Sequence, residues 1–264
     1  MEDTVSERLE LLVGRLLDLS VADETGARRL PPERDLGVAL DMSRGALREL
    51  LSQLENLGFL RRIQGNGTYI EAPDVTFLRT YFTLMAQLDY LSDEQFASAR
   101  EMLEITIAAA AAESASNEQI AELRSLVDQM IARTAANDPD GALEADLAFH
   151  NAMYAIVHNP IFTMLNEGLS HVLRSNMRVR RNLANAIEAR NGDGSMNTDA
   201  VHYAIVDALA ARDPEAARVA MRKHFFDFSL LNLTGRNIDV DAPDTTRDAA
   251  PAPGAPATEE TNNS

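Results

Sequence analysis

Residues Arg29 to Ala72, RLPPERDLGVALDMSRGALRELLSQLENLGFLRRIQGNGTYIEA, constrain this chain more than any other stretch. Proline's fixed φ suits a first helical turn, so Leu30-Pro31-Pro32 predicts a helix start, with Glu33 to Leu40 helical and a stop at Asp41-Met42. Ser43 is an N-cap residue type, able to accept an orphan N–H of a second helix. In that helix Leu47, Leu50, Leu51, Leu54 and Leu57 recur at three- and four-residue steps, which makes one face apolar. Arg44 and Arg48 sit four apart on the other side, and Gly58 ends the run. Leu60-Arg61-Arg62-Ile63 and Thr68-Tyr69-Ile70 then read as two strands around the turn Gln64-Gly65-Asn66-Gly67. Two helices, a tight turn and a hairpin are the layout of a winged helix-turn-helix, which presents the start of its second helix to the DNA major groove.

On LPPERDL, SRGALRELLSQLENLGFL and GNGTYI the chain resembles the GntR family of bacterial transcription regulators. The resemblance implies DNA contacts from Arg34, Arg44 and Arg48, with Ser43 as the cap between them and Gly65, Asn66 and Gly67 at the wing tip. Pro32 stands where the family usually has serine; it can still start a helix.

Length and composition fit that layout. A chain of 264 residues allows two domains with cores of their own. No stretch approaches the roughly 20 apolar residues of a membrane span, and the acidic start MEDTVSERLELL lacks the basic region of a signal peptide. Cysteine is absent, which excludes disulfides and thiolate metal sites and points to the cytoplasm. The net charge of −17 argues against indiscriminate nucleic-acid binding. Between Arg28 and Arg62, however, seven arginines face five acids, so the acidity lies outside the proposed DNA reader.

The predicted organisation is mainly α. Residues 1–74 form the winged helix-turn-helix, opened by a helix over Val5 to Leu19. Residues 75–91 hold a linker helix, 92–236 an all-α antiparallel bundle, and 237–264 a disordered tail too poor in large apolar residues to pack. Within the bundle, helices are expected over Ser92 to Glu113, from a cap at Asn117 to about Asn137, over Asp140 to His158, and over Ile161 to about Arg190. Two more, Asn197 to Ala211 and Pro214 to Leu233, form a hairpin around Arg212-Asp213.

All five histidines fall in this bundle. Asp146 and His150, four apart in DLAFH, project from one helix face. His202 and His224 stand at similar distances on either side of the Arg212-Asp213 turn, so an antiparallel pair brings them level. Three imidazoles and one carboxylate suit Zn²⁺ first, with Ni²⁺, Mn²⁺ or Fe²⁺ as alternatives. The spacing alone leaves a hydrogen-bonded core cluster equally open.

The C-terminal half resembles the FCD ligand-binding domain of FadR-type GntR regulators, whose metal-binding members carry Asp-x-x-x-His on one helix and a histidine on each of two later ones. DLAFH and VHYAIVDALAARDPEAARVAMRKHF fit that pattern, while His158 and His171 have no counterpart. By the same resemblance Arg100, in AREMLE, faces the pocket and holds an effector carboxylate, with Asn176 as a further pocket residue; the residue-level alternative for Arg100 is an ordinary surface pair with Glu104. Val201 stands where the family often has Glu, which would remove a partner for the first hairpin histidine. Together these resemblances imply a homodimeric, ligand-responsive repressor that binds a palindromic operator on double-stranded DNA and senses a small carboxylate. The rival readings are a metal-dependent hydrolase with an accessory DNA-binding domain, which lacks an evident general base such as HExxH would supply, and an architectural DNA-binding protein.

Overall fold

The computed structural model describes residues 5–24, 26–192 and 195–240. Helix α1 (Val5–Leu19) is followed by two short strands, β1 (Val21–Ala22) and β2 (Arg28–Arg29). Helices α2 (Glu33–Leu40) and α3 (Arg44–Asn56) come next, then the hairpin β3 (Leu60–Ile63) and β4 (Gly67–Ile70). The expected helix limits hold here for local reasons. Asp41 takes the left-handed conformation that ends α2, and the Ser43 hydroxyl accepts the Ala46 N–H at 3.3 Å to start α3. Leu47, Leu50, Leu51 and Leu54 pack with Leu12, Leu16, Leu36 and Leu60 in one buried core.

The β1–β2 ribbon, Val21 opposite Arg29, is not among the elements expected from the sequence. The four strands form one antiparallel sheet in the order β1-β2-β4-β3, with Arg29 opposite Tyr69 and Leu60 opposite Ile70. Two-residue strands are too short to show the alternation by which strands are recognised.

Seven helices follow: α4 (Thr76–Gln87), α5 (Asp93–Ser114), α6 (Asn117–Ala135), α7 (Pro139–Ile156), α8 (Pro160–Ile187), α9 (Asn197–Ala210) and α10 (Pro214–Val240). Capping boxes at Ser92/Gln95 and Ser116/Gln119 start α5 and α6, so the cap of α6 is Ser116 rather than Asn117. Helix α10 continues through Val240, past the tail boundary expected at 237; residues 241–264, the rest of that expected tail, lie outside the described residues.

Helix α4, expected as a linker, packs along the bundle. Phe82 meets Phe96 of α5 edge-on with ring centroids 5.6 Å apart, and Arg79 pairs with Glu167 of α8 at 2.9 Å. The close approach depends on Gly168, where a Cβ would come within 3.0 Å of the Phe82 ring and 3.2 Å of Leu78. Gly168→Val should therefore cost about 1–3 kcal/mol through overpacking. A denaturant midpoint equal to that of the unaltered protein would show that α4 does not need this contact.

Candidate functional site

Four helices converge on one buried group. Helix α7 contributes Asp146 and His150, α9 contributes Asp199 and His202, α10 contributes His224, and α5 contributes Arg100 and Glu104, all under a tenth exposed. The ring-nitrogen ligand atoms of His150, His202 and His224 lie within 4.8 Å of one another, and the His202 and His224 ring centroids are 4.4 Å apart. The hairpin thus brings those two level, as their spacing about Arg212 predicts; Arg212 itself turns the chain in the left-handed region, at φ 57°.

The hydrogen bonds fix which nitrogens point inward. Nδ1 of His202 is 2.9 Å from the Asp199 backbone carbonyl and must donate to it, which leaves the Nε2 lone pair 3.2 Å from Asp146 Oδ1. His150 Nδ1 lies against Glu104, so its Nε2 faces the centre, 3.9 Å from the same Asp146 oxygen. Burial and the neighbouring imidazoles of His202 and His150 hold the His224 pKa well below the ordinary imidazole value, so that ring is neutral. Burial pushes the Asp146 carboxyl up, but His202, His150 and Arg181 pull it down further, and it stays ionised. Glu104 behaves alike: burial raises it, while Arg100 and His150 lower it to a net depression.

With His150 and His202 neutral, Asp146 Oδ1 faces two nitrogen lone pairs, with Arg181 3.7 Å away; the pull of those rings on Asp146 needs a positive charge at this point, from a proton on a ring or from an ion. Asp146 Oδ1, His150 Nε2 and His202 Nε2 are buried with no hydrogen-bond partner. Unmatched buried acceptors are costly, and a divalent cation is what the three mutually close imidazole nitrogens suit, with the Asp146 carboxylate beside two of them, those of His202 and His150. The donor set fits such an ion. Glu104 and the Asp199 carbonyl hold the outer nitrogens of His150 and His202, the arrangement that orients ligating imidazoles. Asp199 thereby supplies the partner whose loss Val201 suggested.

Arg100 is buried, with Nε 2.6 Å from Glu104 and Nη1 3.5 Å from the Met177 sulfur; the surface-pair reading is overturned. It lines a small cavity with Asp146, Arg180, Arg181 and His224. Asn176 is not in that lining: its amide donates to Asp93 at 2.7 Å. His158 and His171 are exposed. Residue spacing missed Arg181, whose guanidinium pairs with Asp199 at 2.9 Å. It also missed the contact of Glu104 with His150. Both are contacts between helices, for which spacing within one helix carries no signal.

In the N-terminal domain Arg34, Arg44 and Arg48 are exposed, and Arg48 Nε donates to Glu33 at 2.8 Å. Gly65 and Gly67 adopt φ of 76° and 130°, and a Cβ on Gly67 would meet Arg29 Nε at 2.8 Å. Asn66, between them, is exposed at the turn.

Residues 95–227 match the FCD domain, and residues 25–70 match bacterial regulatory proteins of the gntR family. The uncharacterized HTH-type transcriptional regulator YcbG of Bacillus subtilis (strain 168) is 30% identical over 226 residues, covering 84% of this chain and 89% of that one. The chain belongs to the GntR family. This GntR regulator is also similar to an Escherichia coli (strain K12) regulatory protein named for the L-lactate dehydrogenase operon. The two are 29% identical over 247 residues, covering 91% and 88% of the respective chains. In fold it is similar to Streptococcus agalactiae GntR, with a TM-score of 0.54 and 23% identity over 87% of this chain and all of that one. Its relatives are transcription regulators and not enzymes, which removes the hydrolase alternative. No described helix is long and apolar enough to cross a membrane.

The Arg181–Asp199 pair gives a direct test of this geometry. Arg181→Ala strands a fully buried carboxylate and should cost about 3–5 kcal/mol in denaturant unfolding. The double variant Arg181→Ala/Asp199→Ala should recover part of that loss. Equal stability of the single variant and the unaltered protein would contradict the burial of this pair.

Proposed function

We propose that this GntR regulator is a homodimeric repressor whose FCD domain holds one divalent ion on Asp146, His150, His202 and His224, and that a small carboxylate effector binding there releases the operator. The observation that carries the reading is the convergence of three buried imidazoles, their ligand nitrogens within 4.8 Å of one another, beside the Asp146 carboxylate, a set that one divalent ion would satisfy together. The ion supplies a fixed positive charge for one carboxylate oxygen, and Arg100 beside it supplies a second contact through its guanidinium. Glu104 orients both, by pairing with Arg100 and pressing on His150.

DNA reading falls to Arg34, Arg44 and Arg48, with the wing tip Gly65-Asn66-Gly67 following the backbone. Ser43 sets where α3 begins and so where Arg44 stands. In the free protein Glu33 holds Arg48, a contact that must exchange for one to DNA. One reader of this size contacts too few bases for genomic specificity, so a dimer on an inverted repeat is expected. The route between the sites is physical. Helix α8 carries Arg181 at the centre and Gly168 under α4, and α4 follows the wing in the chain. A ligand that moves α8 shifts α4 and the heads it joins, provided the two poses bind that ligand unequally.

Two measurements check this reading. In gel-shift titrations at fixed salt, Arg44→Ala and Arg48→Ala should each weaken operator binding by at least about fivefold, the lower end of what a bidentate arginine–guanine contact supplies. Unaltered operator affinity in both would refute the assignment of α3. In thermal melts, removing the ion with a chelator should lower the midpoint, and added Zn²⁺ or Ni²⁺ should restore it. A metal at a hundredfold excess over its Kd stabilises by about 2.7 kcal/mol. His202→Ala should abolish the response and His171→Ala should keep it.

A further inference from the structure

Helix α8 carries arginines that differ in their partners. Arg174 pairs with Glu144, Arg178 with Asp140 at 2.9 Å, and Arg181 with Asp199 at 2.9 Å. Arg180 has no carboxylate within ion-pair distance among the described residues. Asp93 acts on it only from further away, and the Asp93 carboxylate already accepts the Asn176 amide. Yet Arg180 does not extend into open solvent. It is half-buried and lines the same cavity as Arg100, Asp146 and His224. A surface arginine with no partner is ordinary; an unpaired one turned towards another guanidinium is not.

We propose that Arg180 is the second anchor of the effector site, and that the effector is a short dicarboxylate. This rests on the reading of the centre as a metal-holding carboxylate site. Around the cavity Glu104 offsets Arg100 and Asp199 offsets Arg181. A divalent ion on neutral imidazoles and the single Asp146 charge retains one positive charge, and Arg180 adds another. A monoanion leaves one of these uncompensated in a partly desolvated site, whereas a dianion neutralises both. Burial and the charge of Arg100 depress the Arg180 pKa, as expected where two guanidinium groups crowd without an anion between them. The unfilled space is only about 30 Å³, near the room of two water molecules, which favours short acids. Arg180, held by no carboxylate, can swing aside to admit one and close on its far carboxylate. One carboxylate then meets the ion and Arg100, and the other meets Arg180.

Calorimetric titration of Zn²⁺-loaded full-length protein with acetate, propionate, malonate and succinate tests this. The unaltered protein should bind malonate or succinate about 10- to 100-fold more tightly than either monocarboxylate, the range that one charge-assisted contact provides. Arg180→Gln should erase most of that preference, and Arg180→Lys, which keeps the charge, should restore part of it. Equal affinity for mono- and dicarboxylates in the unaltered protein would overturn the proposal while leaving the carboxylate site intact. So would a preference that survives in Arg180→Gln. If none of the four acids binds although the melting midpoint responds to Zn²⁺, the carboxylate reading itself fails, and this proposal with it.

Discussion

The bundle is organised by an electrostatic constraint at its centre. Asp146, Glu104 and Asp199 are carboxylates buried among three imidazoles and the guanidinium groups of Arg100 and Arg181. Taking such charges out of water costs several kcal/mol each unless every one finds a partner. Two are matched from within: Glu104 by Arg100, at 2.6 Å, and Asp199 by Arg181, at 2.9 Å. Asp146 lies 3.7 Å from Arg181 and faces nitrogen lone pairs, so it is the member whose compensation is incomplete within the chain. A cation at that point balances it and ties three helices of different chain position together.

The same pairs set the geometry outward from the centre. Arg181 clamps α8 to α9 through Asp199, whose backbone carbonyl in turn fixes the His202 tautomer. Glu104 fixes α5 against α7 through His150. Helix α8 then offers Gly168 to α4, so the helix that follows the wing rests on an element that also lines the cavity through Arg180 and Arg181. In the proposed function, an effector that moves α8 would therefore reach the DNA-binding domain through α4.

Much of this was legible in the chain because the signals were local. Pro31-Pro32, the Ser43 cap, the leucine ladder of α3 and the two wing glycines each act within a few residues, and the structure keeps those limits. The histidine convergence was legible through two periodicities, an i,i+4 step in α7 and the equal arms of the α9–α10 hairpin. Contacts made between helices were not. Glu104 against His150, Arg181 against Asp199 and Arg180 at the cavity depend on how α5, α7, α8 and α9 rotate relative to one another, which no single-helix spacing encodes. Asn176 failed for the same reason: one turn from Arg180 on α8, it faces Asp93 instead. The β1–β2 ribbon was hidden by its length alone.

In the proposed function the buried histidine cluster exists to hold one ion. Elemental analysis of the full-length protein, purified without chelator and quantified against chain concentration, tests it most directly. Close to one divalent transition-metal ion per chain is expected, falling to a trace in His202→Ala and in Asp146→Ala. A chain that carries no metal, and takes up none on incubation with Zn²⁺, Ni²⁺, Mn²⁺ or Fe²⁺ followed by desalting, would contradict it and leave the cluster as a hydrogen-bonded core.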